Sequence, residues 1–94
     1  MSDILNELYA TIIDRQQNPK PGSYTNSLLE AGEDEIVKKV GEEAIEVIVA
    51  AKGQTDQRLI EESADLLYHL WVALAWRGVT PGQVMAELER RHRR

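Results

Sequence analysis

Two short acidic motifs lie inside segments whose apolar residues repeat with helical spacing, and this restricts the fold more than any other feature of the chain. The first is Lys38-Lys39-Val40-Gly41-Glu42-Glu43-Ala44-Ile45-Glu46 and the second is Glu62-Ser63-Ala64-Asp65. Residues three and four apart share one face of a helix. Glu42 and Glu43 therefore both flank Glu46, and Glu62 sits beside Asp65. Carboxylates usually face bulk water, yet these border apolar runs: Ile45, Val47, Ile48, Val49, Ala50 and Ala51 in one segment, and Leu66, Leu67, Leu70, Trp71, Val72 and Leu74 in the other. Helices packed through those runs bring two acidic groups close together. Like charges at short range repel or raise one another's pKa, and burial adds a desolvation cost. A divalent cation between them removes the conflict, so the pattern predicts a metal site built from two helices.

The rest of the chain supplies the frame. Ile4, Leu5, Leu8, Ile12 and Ile13 predict a first helix from Ile4 to about Gln17, with Ser2 or Asp3 as its cap. Asn18-Pro19-Lys20-Pro21-Gly22 cannot continue it and forms a loop. A short helix then runs to Ala31, opened by Ser23 or Thr25 and closed by Gly32. The second long helix is predicted from about Asp34, its N-cap, to Lys52, with Gly53 as the stop. At about 100° per residue, Val37, Val40, Ala44, Val47, Ile48 and Ala51 form its apolar side. Glu42, Glu43, Glu46, Lys38 and Lys39 fall on the other side and its borders.

Gln54-Thr55-Asp56 is short, so the next helix returns antiparallel. It spans about Gln57 to Trp76, capped by Thr55 or Asp56 and ended by Gly78. It is apolar nearly all round, which places it centrally, against several neighbours or another subunit. An ionised acid there costs several kcal/mol if unpaired. Thr80-Pro81 opens a last helix with the stripe Val84, Met85, Leu88. The expected fold is an all-α antiparallel helical bundle in a single domain, residues 1–94.

Charge distribution narrows the partners. Between Glu30 and Asp65 lie eleven of the sixteen acids, against Lys38, Lys39, Lys52 and Arg58. That region repels a bare polyphosphate unless cations are bound. The terminal Arg90-Arg91-His92-Arg93-Arg94 suits a helix C-terminus, and with an acidic body nucleic-acid binding is disfavoured. No apolar run approaches the roughly 20 residues of a membrane span. The N-terminus lacks signal-peptide character, and the absence of cysteine fits a cytoplasmic setting.

Four or five carboxylates without a thiolate call for a hard cation, Mg²⁺. Such an ion bridges phosphate oxygens and acidifies a bound water, so the expected chemistry is hydrolysis of a phosphate ester or diphosphate. Lys38 and Lys39 can add positive charge for pyrophosphate, and one of the acids can serve as base. The i,i+4 pairs Lys38–Glu42 and Lys39–Glu43 run in the weaker order. They leave Glu46 without a cation. Ser23, Tyr24 and Thr25 are explained by capping and packing, or by hydroxyls set beside a phosphate-binding cleft. His69 shares a face with Asp65 and reads as a hydrogen-bonded interior residue rather than a ligand.

Glu42-Glu43-Ala44-Ile45-Glu46, fifteen residues, then Glu62-Ser63-Ala64-Asp65 resembles the EExxE…ExxD signature of the MazG-like all-α nucleotide pyrophosphohydrolases. Pro21-Gly22-Ser23-Tyr24-Thr25 with Leu28-Leu29, the Lys38–Glu43 run and Ala64-Asp65-Leu66-Leu67-Tyr68-His69-Leu70 narrow the likeness to the phosphoribosyl-ATP pyrophosphohydrolase family of histidine biosynthesis. The resemblance implies Mg²⁺-dependent cleavage of phosphoribosyl-ATP between its α and β phosphates, giving phosphoribosyl-AMP and pyrophosphate. It implies Glu43, Glu46, Glu62 and Asp65 as metal ligands, with Glu42 as a further ligand or base and Glu43 and Glu46 in the catalytic set. Lys38, Lys39, Ser23, Tyr24 and Thr25 become candidates for substrate contact. It also implies a homodimer, in the stand-alone form without a fused cyclohydrolase. Two other readings share much of the pattern. One is a housecleaning enzyme for aberrant or deoxy nucleoside triphosphates; the other is a non-catalytic helical dimerisation module.

Overall fold

A computed structural model describes residues 3–93. Its described residues form five helices and no strand: α1 (Ile4–Gln17), α2 (Tyr24–Ala31), α3 (Glu33–Gly53), α4 (Asp56–Arg77) and α5 (Pro81–His92). The bundle is the all-α one expected, and no helix is long and apolar enough to cross a membrane.

Local chemistry accounts for most of the boundaries. Ser23, Thr55 and Thr80 each sit in extended backbone and accept a hydrogen bond from the amide three residues on, at Asn26, Arg58 and Gln83. Each thereby satisfies one of the amides that a helix start leaves unpaired. Thr80 and Gln83 complete a reciprocal capping box, with Pro81 in the first turn. Gly78 ends α4 at φ +74°, a left-handed conformation that a side chain disfavours. Asn26 is buried and holds the α1–α2 loop: its Nδ2 donates to Arg15 O and its Oδ1 accepts from Lys20 N, both at 2.8 Å.

Two expected caps differ. Asp34 lies inside α3; the capping position is Gly32, at φ +96°, which ends α2 and starts α3 without an intervening loop. Asp3 precedes α1 without a side-chain bond to its amides and instead accepts from Asn6 Nδ2. Ser2, the other candidate cap, and Arg94 lie outside the described residues.

α3 and α4 form an antiparallel hairpin joined only by Gln54 and Thr55, and they make the largest contact in the fold. α1 packs across α4, and α2 packs on α3 and α1. The core therefore gathers at one end of the hairpin: Ile12 of α1, Leu28 of α2, Ile36 of α3, and Trp71, Val72 and Ala75 of α4. Trp71 is 1% exposed, and its Nε1 donates to Leu5 O at 2.9 Å, so its one polar atom is satisfied.

The rotation of α3 differs from the expected one. Its inward line is Ile36, Val40, Glu43, Val47 and Ala50, while Val37, Ile48 and Ala51 face outward. The facing line on α4 is Leu59, Glu62, Leu66, His69 and Ala73. Both lines alternate steps of three and four residues, the spacing of a two-helix seam. Ile36 fixes the rotation, because its burial in the core carries the next inward positions to Val40 and Glu43. α4 is also less enclosed than expected. Ile60 and Leu67 are exposed, because α1 covers only the C-terminal part of the helix. On α5, Val84 is half-buried, whereas Met85 and Leu88 are exposed.

Candidate metal centre

Glu43 and Glu62 occupy seam positions that, His69 apart, are filled by apolar residues elsewhere along the hairpin. Asp65 lies three residues beyond Glu62, at the seam's edge. One carboxylate oxygen from each of the three lies within 4.8 Å of the others. Glu62 is only 6% exposed, Glu43 is half-buried, and Asp65 opens to solvent. The cluster thus has a buried floor and an open mouth. Its donors are all carboxylate oxygens, which suits a hard divalent cation rather than zinc.

Two cations answer part of the charge. Lys39 Nζ lies 3.5 Å from Glu43, and Arg58 pairs with both Glu61 and Glu62. Burial is the largest single influence on Lys39 and opposes its charge, but Tyr24, Glu42 and Glu43 together hold its pKa above the ordinary value. The Arg58 pKa is raised by its hydrogen bond to Glu61, and next by the charge of Glu62. Among the described residues, Asp65 has no salt-bridge partner.

A hydroxyl network ties α2 to the same stretch of α4. His69 Nδ1 is 2.7 Å from the Asp65 carbonyl, which only accepts, so Nδ1 carries hydrogen. In the neutral ring Nε2 then accepts from the Tyr24 hydroxyl, at 2.9 Å. Both ring nitrogens are engaged, and His69 is the buried, hydrogen-bonded residue expected. Thr25 Oγ1 and the Tyr68 hydroxyl are hydrogen-bonded beside it, and burial raises the Tyr68 pKa. Tyr68 packs edge-on against His69, with ring centroids 4.9 Å apart. A groove of about 610 Å³ opens on the other side of Tyr24, along Pro19, Lys20, Pro21, Ser23 and Ser27.

The predicted site residues therefore separate into groups. Glu43, Glu62 and Asp65 come together. Glu42 and Glu46 are exposed on the flank of α3 and lie outside that cluster. Lys39 is at the cluster; Lys38 is exposed and pairs with Glu35 at 3.0 Å rather than with Glu42. Ser23 caps α2, while Tyr24 and Thr25 reach α4. Sequence reasoning missed Arg58, although its place four residues before Glu62 was a usable signal. It also missed the pairing of Tyr24 with His69 and of Thr25 with Tyr68. These join residues more than forty positions apart, and no local spacing announces them.

Residues 5–92 match the phosphoribosyl-ATP pyrophosphohydrolase family. The chain is 52% identical over 92 residues to a phosphoribosyl-ATP pyrophosphatase of Pelotomaculum thermopropionicum, covering 98% of this chain and 94% of that protein. It is 53% identical over 90 residues to the phosphoribosyl-ATP pyrophosphatase of Sulfurisphaera tokodaii, covering 96% of each. A histidine biosynthesis bifunctional protein HisIE of Caldanaerobacter subterraneus is 48% identical over 92 residues, which are 98% of this chain and 45% of that longer protein.

Proposed function

The chain belongs to the phosphoribosyl-ATP pyrophosphohydrolase family, and on that premise we propose that it hydrolyses phosphoribosyl-ATP to phosphoribosyl-AMP and pyrophosphate with Mg²⁺ bound at Glu43, Glu62 and Asp65. The observation that carries this reading is the meeting of three carboxylates from two helices in a seam that is otherwise largely apolar. Mg²⁺, when bound, supplies neutralisation of the diphosphate and a water of lowered pKa. The protein's own part is to hold charge and position. Glu62, on the floor, keeps a fixed carboxylate where solvent is scarce. Asp65, at the mouth, would hold the ion on the side open to solvent, from which a phosphate enters. Glu46 and Glu42, which lie on the exposed flank of α3 outside the cluster, would act as a further carboxylate and as the base toward water only if substrate or a second copy closes over that flank. Lys38 and Lys39 stand on the same stretch of α3 and meet the negative charge of the leaving pyrophosphate.

Tyr24 and Thr25 bring the Pro21–Thr25 segment to the metal-bearing turn of α4, so that segment recognises the part of the substrate beyond the diphosphate. The second copy in a homodimer covers Ile45, Ile48 and Val49 of α3 with Ile60 and Leu67 of α4; all five are large apolar residues exposed in one chain. We place this small-molecule enzyme in the cytoplasm, as one domain.

The purified protein, incubated with phosphoribosyl-ATP and Mg²⁺, is expected to release pyrophosphate, and chelation by EDTA is expected to stop it. Release from a panel of nucleoside and deoxynucleoside triphosphates, with none from phosphoribosyl-ATP, would overturn the assignment in favour of a housecleaning enzyme.

A further inference from the structure

The acidic cluster carries three formal negative charges, and Lys39 and Arg58 return two of them. A divalent cation on the same carboxylates supplies the same two charges. Once it is bound, one carboxylate charge remains for two basic side chains, so one of them is surplus to the cluster and available to a polyanion. The two differ in how far they can move. Lys39 is mostly covered and carries the additional influence of Tyr24. Arg58 stands in the first turn of α4, and its side chain is 47% exposed. Its two terminal nitrogens are divided between exposed Glu61 and buried Glu62. A guanidinium whose fork already spans two carboxylate partners has the shape to take a phosphate in bidentate fashion.

We propose that Arg58 is a phosphate-binding residue held in reserve: it occupies Glu62 while no divalent cation is present, gives Glu62 up when one binds, and turns to the pyrophosphate portion of the substrate. The inference rests on the metal reading above. Arg58 thus couples ion binding to substrate binding without any movement of the backbone. A cation competes with Arg58 for Glu62, and phosphate then rewards its release. A purely structural Arg58 predicts the opposite sign for the first step, because removing it would leave Glu62 poorly oriented and weaken the metal.

The test measures Mn²⁺ binding to the intact protein by electron paramagnetic resonance without substrate, then pyrophosphate binding to the Mn²⁺-loaded protein by calorimetry. Wild type, Arg58→Gln and Arg58→Lys are compared. Arg58→Gln is expected to bind Mn²⁺ about two- to fivefold more tightly, the reach of a partly exposed ion pair. Its loaded form is expected to bind pyrophosphate about tenfold more weakly, the loss of a charge-assisted bidentate contact. Arg58→Lys keeps the charge without the fork, so it should hold near wild-type Mn²⁺ affinity and recover only part of the pyrophosphate affinity. Weaker or unchanged Mn²⁺ binding in Arg58→Gln, with pyrophosphate affinity intact, overturns the proposal while leaving the metal site standing. Wild type that binds no Mn²⁺ overturns the metal site itself. Should Arg58→Gln fail to fold, Arg58→Lys with wild-type pyrophosphate affinity overturns the bidentate contact alone.

Discussion

The two ends of the α3–α4 hairpin are built from similar residues and meet very different surroundings. At one end Ile36, Trp71, Val72 and Ala75 are enclosed by α1 and α2. At the other end Ile45, Ile48, Val49 and Ile60 project into solvent; Ile48 is 61% exposed. At the enclosed end these core residues are covered within this chain, although Val37 and Trp76 beside them stay exposed. The bare end has the composition of a core and no cover within one copy, which is the usual mark of an interface. The acidic cluster lies between the two, with one flank anchored and the other dependent on what covers the bare end. The comparison teaches that an apolar stripe in sequence marks burial without saying by what, and that a site can be set at the border of the two kinds.

The largest effect is expected at the enclosed end. Trp71→Ala removes a fully buried ring and its bond to Leu5 O, and should cost about 3–5 kcal/mol of folding stability by urea denaturation. Retained stability would mean that the core is elsewhere. Next comes the border. Glu62→Gln keeps the shape of a buried side chain and removes its charge. It should lower pyrophosphate release by about a hundredfold or more, and Mg²⁺ should no longer raise its melting temperature. Unaltered release by this variant would put the chemistry outside the cluster.

At the bare end, Ile48→Ser is expected to change the folding stability of the isolated monomer, measured at a concentration too low for association, by no more than about 0.5 kcal/mol, since the side chain is exposed within one copy. Analytical ultracentrifugation should nevertheless show the proposed dimer weakened at least about tenfold. A dimer unmoved by Ile48→Ser would assign the contact to another surface. The smallest effect concerns Gly41, where an added Cβ meets nothing within 4 Å. Gly41→Ala should gain about 0.5–1 kcal/mol from helix propensity. A gain in stability with a loss of activity would mean that substrate or a second copy approaches α3 there.

How much of this was legible in the sequence follows the same division. Helix ends were legible because Ser23, Thr55, Thr80 and the glycines act through bonds to near neighbours. That acids of α3 and α4 would approach one another was legible, because the connection between the helices is too short for any topology but a hairpin; that Glu43, rather than Glu42 or Glu46, faces α4 was not. The rotation of α3 was not. Val37, Ile45, Ile48 and Val49 carry the same hydropathy as Ile36, Val40 and Val47, so periodicity averages an inner face with an outer one. That averaging also hid how far Glu46 sits from the seam. Asp34 looked like a cap because acids suit any position in a first turn, whereas Gly32 serves both helices through a backbone conformation open to glycine.

The two-residue connection between α3 and α4 also bears on the order in which this molecule assembles. A hairpin closed over so short a link pays little loop entropy, so its helices can zip together ahead of contacts from distant parts of the chain. Glu43 and Glu62 then meet while the nascent structure is still soft and the wrapping by α1 is incomplete. If the cluster takes a divalent ion as proposed, such ions in the refolding buffer would act at that early encounter and hasten collapse rather than merely steady the finished product.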